Sequence, residues 1–580
     1  MTDQTTSGVD DPQNLARWTE AIARGQAMMA RFAADPGVAL RPSDDPLGLA
    51  AMWRQVLTAA ATDPATVIAS GAKFMTDAMA LWQGFLSGTP EATAPPVRDK
   101  RFAAPAWAEA PVFDFLRRSY LLASDHVLNA TASLSGLGEA ARAKALFHTR
   151  QWLEAMSPAN FPLTNPEVLA ATRDSGGENL LKGLEHMLAD LERGRMRMTD
   201  EAAFEVGRDV AATPGKVVFE NRLFQLIQYS PATAEVFETP LLIFPPWINK
   251  FYILDLTPEK SFIRFAVENG LTVFVVSWKN ADASLADATL DTYVGEGQLT
   301  ALGEVLKRTG APSAHVIGYC VAGTVLAATL AYLEAKGQAD RVASATFFTA
   351  QIDFSDAGDL KLFTDDAGIA TVEKAAANGV TDGRALAATF NMLRPNDLIW
   401  SYVVNNYLLG KDYFPFDLLY WNSDATNVPA CWHLSYLRDM YRDNLLVQPG
   451  GISVAGVRID LRTVRTPTYI QAGRDDHIAP AKSVYRMTQV FAGPMRFVLA
   501  GSGHIAGVVN PPGAKKYQHW TSDTLPPTLA EFQAVATETP HSWWPDWLRW
   551  LTPLSGPKVP ARVPEGAIED APGRYVKERI

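Results

Sequence analysis

The chain has 580 residues, of which 47% are hydrophobic and 10% aromatic, so it contains enough apolar side chain to bury a large core. Its formal net charge is −11 and it has no run of basic residues, which argues against nucleic acid as a partner. Its two cysteines, Cys320 and Cys431, exclude a framework of several disulfides and suit a reducing compartment.

The first 200 residues have the pattern of a mostly helical N-terminal domain. Residues 1–13 are acidic and polar, so we expect a disordered tail with no secretory signal and hence a cytoplasmic protein. Apolar residues then recur at helical spacing over 15–33, 47–86 and 111–195. Residues 88–110, which begin with a stretch rich in proline, alanine and threonine, are predicted to be a linker.

Residues 201–580 alternate between strand and helix patterns. The predicted strands cover 216–220, 224–229, 241–244, 273–278, 315–317, 345–349, 468–471 and 496–499. Intervening helices imply an α/β domain with a mainly parallel sheet that is covered on both faces. The alternation stops over about 350–450, and an insertion of that size is usually a lid or cap over an active site. Near the C-terminus, the tryptophan-rich stretch 543–550 is interpreted as a buried cluster.

The stretch around Cys320 combines a strand, a sharp turn and a helix. β-Branched residues precede Cys320 and helix formers follow it, while Gly318 and Gly323 flank it with the small Ala322 in between. Small residues there let a strand and a helix cross closely, and the cysteine side chain then points out at the helix N-terminus, which favours an anion. This is the pattern of a nucleophile elbow. The alternative is a glycine-rich packing turn that holds an inert cysteine.

An elbow of this kind predicts an acid and then a histidine after later strands. The strand at 468–471 is followed by Asp475 and Asp476, and the strand at 496–499 is followed by His504 on a glycine-flanked loop. Order and placement thus predict a triad of Cys320, one of the two aspartates and His504. His477 is the rival histidine, but it directly follows the acid and is interpreted as a loop-structuring residue.

Two backbone amides should hold the oxyanion that forms during acyl transfer. One is the amide of Val321, directly after the nucleophile. The other should come from the loop after the strand at 241–244, where Pro245 and Pro246 have no N–H, so the donor is Trp247 or Ile248. No spacing of histidine and cysteine is typical of metal ligands, and no phosphate-binding glycine motif occurs, so neither a metal nor a cofactor is predicted.

A cysteine nucleophile favours acyl transfer over simple hydrolysis. An acyl group on sulfur remains a thioester, still activated for attack by an alcohol, whereas a serine ester would lose most of that activation. The sequence therefore points to transfer from a thioester such as an acyl-CoA to a hydroxyl group.

Several stretches resemble the class I polyhydroxyalkanoate synthases, bacterial enzymes that polymerise (R)-3-hydroxyacyl-CoA. They are PPWINKFYILDL at 245–256, GYCVAGT at 318–324, LRPNDLIWSYVVNNYL at 393–408, FDLLYWNSDATNVP at 416–429, GRDDHIAP at 473–480 and GSGHIAGVVNPP at 501–512. The resemblance extends from about residue 100 to the end. One departure is Ala322, where members often have glycine, and an alanine should still fit.

The resemblance implies that Cys320 is the acylated nucleophile, His504 the general base and Asp476 the acid, and that Trp432 takes part in a dimer contact or the lid. It also implies an α/β-hydrolase-type fold and an acyltransferase acting on short C3–C5 substrates, most readily 3-hydroxybutyryl-CoA. The other partners would be the growing polymer chain, a second copy in a homodimer and granule-associated proteins. The expected location is the cytoplasm at polymer granules, without a transmembrane segment.

Two alternatives stay open at this point. The first is a cysteine-nucleophile thioesterase or hydrolase of hydroxyacyl esters, whose product would be the free acid. The second is a non-catalytic granule-associated protein that kept the fold, although such a protein would need none of the three triad residues.

Overall fold

The computed structural model describes residues 12–34, 49–87, 99–376 and 378–580. The chain divides into two compact units, Met1–Asp200 with Ala388–Phe414, and Glu201–Ala387 with Pro415–Ile580. The predicted disordered tail lies outside the described residues, apart from Pro12 and Gln13, which begin the first helix.

The first unit is helical. Its helices are α1 Pro12–Ala34, α2 Leu49–Thr62, α3 Pro64–Ser87, α4 Ala106–Glu109, α5 Pro111–Ser133, α6 Glu139–Ala155, α7 Pro166–Asp174 and α8 Glu178–Arg193. The helix predicted over 47–86 is interrupted at Asp63, because Pro64 favours the start of a new helix. Of the predicted linker, 88–98 lies outside the described residues, but 99–110 is structured, with Phe102 and Trp107 buried.

Part of the predicted cap, Ala388–Phe414, belongs to the first unit. Two helical segments, Asn396–Trp400 and Val403–Leu408, lie in this part. A Cβ atom at Gly183 would lie 1.8 Å from the Tyr407 carbonyl oxygen, so α8 and the second segment touch through their backbones. The Tyr407 hydroxyl also donates to the buried Asp190 carboxylate over 2.9 Å. Periodicity cannot reveal such long-range contacts.

The second unit contains one large sheet and several short two-stranded sheets. Its strands are β1 Gly215–Glu220, β2 Phe224–Tyr229, β3 Glu235–Phe237, β4 Leu241–Phe244, β5 Val273–Trp278, β6 Ala314–Tyr319, β7 Val342–Phe348, β8 Val380–Thr381, β9 Val428–Pro429, β10 Ser453–Val454, β11 Val457–Arg458, β12 Thr468–Gly473, β13 Met495–Ala500, β14 Gln518–Thr521, β15 Thr537–Pro540, β16 Lys558–Pro560 and β17 Glu569–Asp570. Among the described residues, eleven of them form the order β15-β14-β13-β12-β7-β6-β4-β5-β2-β1-β17.

The central strands of this sheet, from β13 to β5, pair in parallel, and the outer strands pair antiparallel. Every residue of β4, β6 and β12 is buried, as expected for parallel strands covered on both faces. The prediction of an α/β fold with a mainly parallel sheet is confirmed, and all eight predicted strands occur. The missed strands β14 and β15, at one end of the sheet, are polar and short, so they give no hydrophobic signal.

Helices cover the sheet and fill the insertion between β7 and β12. From residue 262 onward they are α9 Phe262–Glu268, α10 Leu290–Thr292, α11 Thr300–Thr309, α12 Val321–Ala335, α13 Asp366–Ala375, α14 Gly383–Met392, α15 Asp417–Ser423, α16 Ala430–Ser435, α17 Ala481–Tyr485, α18 Met487–Val490, α19 Leu529–Val535 and α20 Trp544–Leu551. In the described ranges, no helix combines the length and the apolar character needed to cross a membrane.

The tryptophan cluster at the start of α20 belongs to the core, as the sequence indicated. Trp543, Trp544 and Trp547 are each at most 1% exposed and pack around Phe262. The Trp547 indole N–H donates to the Thr346 hydroxyl on β7 over 3.1 Å. This cluster therefore fixes α9 and α20 against one face of the sheet.

We expect Trp547→Ala to lower the free energy of unfolding by about 3–5 kcal/mol, because it leaves a large cavity and an unpaired hydroxyl in the core. Urea denaturation followed by circular dichroism measures the change. The matched control is Trp152→Ala, which removes an indole that is 58% exposed and should change the stability by less than about 0.5 kcal/mol. Equal losses in the two variants would contradict the role of the cluster.

Candidate active site

Cys320 lies at the junction between β6 and α12, in a backbone conformation that residues with a side chain rarely adopt. Its φ is 52° and its ψ is −126°, and its N–H donates to the Phe348 carbonyl of β7 over 2.9 Å. A Cβ atom at Gly318 would lie 2.6 Å from the Gly323 Cα atom, and one at Gly323 would lie 2.4 Å from the Ala350 Cβ atom. Both glycines are therefore required by the close crossing of strand and helix, and the crossing leaves the Cys320 side chain at the helix N-terminus.

The loops after β12 and β13 bring Asp476 and His504 together. The His504 Nδ1 and Asp476 Oδ2 atoms are 2.7 Å apart, and both side chains are buried. The other oxygen of Asp476 accepts the amides of Ile478 and Ala479 over 2.8 and 2.9 Å. Asp475, the alternative left open by the residue pattern, points outward and pairs with Arg474 instead. Of the two aspartates, Asp476 is thus the one that contacts His504.

Hydrogen bonds from buried side chains of the core hold the loop that carries His504. The Tyr319 hydroxyl donates to the His504 carbonyl over 3.1 Å. The indoles of Trp543 and Trp544 donate to the carbonyls of Gly507 and Val508 over 2.7 and 2.9 Å. The imidazole is therefore placed by buried hydrogen bonds rather than by a free surface loop.

The charges around His504 favour its protonated form. Burial by itself lowers the pKa of the imidazole, but the Asp476 carboxylate and the Cys320 sulfur outweigh burial and raise the pKa of His504 to about 10. The Cys320 side chain also lies within hydrogen-bonding reach of the ring. A proton can accordingly pass between sulfur and imidazole without leaving this buried site.

Three backbone amides near Cys320 are available to an incoming oxygen atom. In the part of the chain that the structure describes, the N–H groups of Val321, Trp247 and Ile248 have no hydrogen-bond acceptor. Val321 begins α12, and the other two follow β4, which lies beside β6 in the sheet with Phe244 opposite Gly318. The parallel register thus brings the predicted oxyanion loop to the same edge as the elbow.

Trp432 is buried and packs beside this loop. It is 1% exposed, with its ring 5.0 Å from that of Trp247 and stacked 4.9 Å from that of Tyr436. The ring of Trp247 in turn stacks 4.0 Å from that of Tyr293. The predicted contact of Trp432 with a second copy stays a prediction, since its contacts here are to residues of the same unit.

Two tyrosines of the insertion, Tyr436 and Tyr441, line the site and were not anticipated. Burial raises the pKa of each phenol, and the charge of Cys320 raises it further. The Gln351 side-chain amide donates weakly to the Tyr441 hydroxyl over 3.4 Å. These phenols are neutral donors close to the sulfur, and nothing in their sequence spacing signals that position. Among the described residues, no group of three or more His, Cys, Asp or Glu could hold a metal ion.

Comparison with known proteins adds independent information. A family model described as "Poly-beta-hydroxybutyrate polymerase (PhaC) N-terminus" matches residues 98–266, and one described as "alpha/beta hydrolase fold" matches 239–511. A poly(3-hydroxyalkanoate) polymerase from Methylorubrum extorquens is 48% identical over 530 residues, covering 89% of this chain and 87% of its own. A poly(3-hydroxyalkanoate) polymerase subunit PhaC from Cupriavidus necator is 46% identical, covering 87% of each chain. A solved hydrolase from Pseudomonas aeruginosa PA01 aligns at 15% identity over 51% of this chain and 94% of its own, with a TM-score of 0.30.

The buried Asp476–His504 pair predicts a specific dependence of stability on pH. Folded His504 keeps its proton up to about pH 10, whereas the unfolded side chain releases it near pH 6.5. The stabilisation from the charged pair is therefore full below pH 6.5 and is lost as the pH rises through about 10. We expect the unfolding free energy of the wild type minus that of His504→Gln to fall between pH 7 and pH 9, by at most about 1.4 kcal/mol per pH unit.

Urea titrations of the two proteins across that pH range measure this difference. His519→Gln is the control, because burial lowers the pKa of His519 and removes any reason for the same slope. A difference between wild type and His504→Gln that does not change with pH would contradict a protonated His504.

Proposed function

Because the chain belongs to the poly(3-hydroxyalkanoate) polymerase family, we propose that it polymerises (R)-3-hydroxyacyl-CoA into polyhydroxyalkanoate and releases CoA. The observation that carries this proposal is the arrangement at the carboxyl edge of the sheet, with Cys320 at the elbow beside the hydrogen-bonded His504 and Asp476. A nucleophile, a base and an orienting carboxylate in this order can form and resolve an acyl-enzyme.

In the first half-reaction, the Cys320 sulfur attacks the thioester carbonyl. The proton of the sulfur–imidazole pair resides on His504, which stays paired with Asp476 as an imidazolium while the sulfur attacks. The carbonyl oxygen becomes an oxyanion next to the free amide of Val321 and the amide supplied by the loop after β4. The C–S bond to CoA then breaks, CoA leaves with the proton from His504, and the acyl group stays on Cys320.

In the second half-reaction, a hydroxyl group takes the place of the thiol as nucleophile. The 3-hydroxyl of a second unit, or of the chain, gives its proton to His504 while Asp476 orients the ring, and its oxygen attacks the other thioester carbonyl. One ester bond forms, one thioester bond breaks, and the released sulfur recovers the proton. The polymer is extended by one unit.

The surroundings of Cys320 suit transfer to an alcohol rather than to water. Trp247, Trp432 and Tyr436 are buried together on the side of the oxyanion loop. Their apolar surface limits the access of water, and the thioester at Cys320 keeps the acyl group activated until the hydroxyl arrives. We also propose short C3–C5 substrates, a homodimer, and association with polymer granules in the cytoplasm, all of which rest on the resemblance to class I synthases.

We expect purified protein mixed with 3-hydroxybutyryl-CoA to release CoA while the solution becomes turbid with polymer. Cys320→Ala should lose both signals, because no acyl-enzyme can form. Free thiol and light scattering are followed together. Cys431→Ala is the matched control, since Cys431 is exposed and should be dispensable.

The two signals distinguish the alternatives. CoA release without turbidity, with free hydroxyacid as product, would identify a thioesterase. Unchanged activity in Cys320→Ala would contradict the proposed mechanism altogether. Absence of both signals in the wild type would favour the non-catalytic alternative.

A further inference from the structure

We infer that Thr426 is a positioning residue of the oxyanion hole, which orients the amide of Ile248 toward the substrate carbonyl. The inference rests on the proposed function and deepens it. It follows from two hydrogen bonds that a single hydroxyl makes to the loop after β4.

The Thr426 hydroxyl contacts the residues on both sides of Ile248. Its Oγ1 donates to the Trp247 carbonyl over 2.8 Å and accepts the Asn249 N–H over 2.9 Å. Ile248 lies between these two points, and its own N–H has no acceptor among the described residues. One side chain thus fixes the backbone on both sides of Ile248 and leaves its amide open.

Because the peptide unit is planar, this contact also sets the direction of the Ile248 N–H. The Trp247 carbonyl and the Ile248 N–H belong to the same trans peptide unit, so they point in opposite directions. Holding the carbonyl toward Thr426 therefore aims the Ile248 N–H away from Thr426. The sequence left Trp247 and Ile248 as equal candidates for the second donor, and this bond favours Ile248.

The loop needs such a restraint, because its conformation is strained. Asn249 has a φ of 70°, in the left-handed region, which asparagine tolerates better than most non-glycine residues but still adopts uncommonly. A conformation of this kind costs free energy and persists only where the surroundings hold it in place. The bond from the Asn249 N–H to Thr426 supplies part of that restraint.

The segment that carries Thr426 is itself anchored to the same loop. The Trp421 indole donates to the Lys250 carbonyl over 2.7 Å, and the Lys250 ammonium lies 2.7 Å from the Asp424 carboxylate. The other oxygen of Asp424 accepts the Tyr252 hydroxyl over 2.8 Å. Lys250 and Asp424 are each 6% exposed, so this pair has little freedom to separate. Residues 421–426 therefore form a rigid brace for residues 247–252.

The test compares Thr426→Val, which keeps the shape of the side chain and removes the hydroxyl, with Thr426→Ser, which keeps the hydroxyl. Removing an oxyanion donor outright costs about 10²–10³ in kcat, so a misaimed donor should cost about 10–100-fold. We expect that loss in Thr426→Val for CoA release from 3-hydroxybutyryl-CoA, with KM changed by less than about threefold. Thr426→Ser should stay within about threefold of the wild type.

The matched control is Thr488→Val. Thr488 and Thr426 are both 8% exposed, and the Thr488 hydroxyl also donates to a backbone carbonyl, that of Tyr485, over 2.8 Å. Thr488 lies outside the oxyanion loop and its brace. Its substitution should leave kcat unchanged, so it corrects for the general effect of removing a buried hydroxyl.

A second measurement separates positioning from a structural effect. Alkylation of Cys320 by iodoacetamide needs the folded site but no oxyanion hole, and its rate should be the same in Thr426→Val and the wild type. A parallel fall in alkylation and turnover would overturn the inference, because Thr426 would then act on the fold or the sulfur. If Thr426→Val does not fold, Thr426→Ala takes its place in both measurements.

The outcomes distinguish this inference from the proposed function. A normal kcat in Thr426→Val, with Cys320→Ala inactive, would overturn the role of Thr426 and leave the polymerase mechanism standing. A wild type that releases no CoA would overturn the proposed function and the inference together. Slow turnover in Thr426→Val with normal alkylation and restored turnover in Thr426→Ser would support the inference.

Discussion

The active-site arrangement depends on the backbone conformation of one residue, Cys320. A positive φ at a residue with a side chain costs on the order of 1–3 kcal/mol. The conformation at Cys320 persists because β6 and α12 cross so closely that Gly318 and Gly323 have no space for a Cβ atom. That turn leaves the Val321 amide without an acceptor and exposes the sulfur at the start of a helix. The strain in the turn is thus the physical origin of both the placement of the proposed nucleophile and the first amide of the proposed oxyanion hole.

The parallel sheet supplies the rest of the site by bringing strand ends to a common edge. Phe244 pairs with Gly318, and Gly473 pairs with Ala500, so the loops after β4, β12 and β13 leave the sheet at similar levels. Asp476 and His504 meet there in a buried pair, and a carboxylate in such surroundings holds a proton on the imidazole. The covalent chemistry proposed at Cys320 therefore uses charges that are oriented before substrate arrives.

The sequence predicted the strands well, because each has a strong local signal, and the predicted order of the site residues rests on signals that are equally local. The buried strands are apolar runs bounded by turns, and Cys320 and His504 sit next to glycines at strand ends. Where the choice depended on loop geometry, the residue pattern alone could not decide. Asp475 and Asp476 are adjacent, and only the fold turns one inward and the other toward Arg474. Trp247 and Ile248 were equivalent for the same reason.

Long-range contacts account for what the sequence missed. The insertion between β7 and β12 shows no periodicity that would assign Ala388–Phe414 to the helical unit, or Tyr436 and Tyr441 to the surroundings of Cys320. The polar strands β14 and β15 are defined by the pairing of β14 with β13 and of β15 with β14, rather than by their own composition.

Under the proposed mechanism, the insertion is therefore a structural part of the active site. The loop after β4 has no regular secondary structure between Phe244 and Phe251, and its internal backbone bonds do not determine its path. Thr426 and Asp424 lie more than 170 residues away in sequence, yet they hold both ends of that path. Since the same insertion also contributes Trp432 and Tyr436 around Trp247, a shift of this segment would move the oxyanion donor and the apolar wall together. Under the proposed mechanism, the position of the oxyanion donor and the exclusion of water by that wall therefore depend on the same piece of chain.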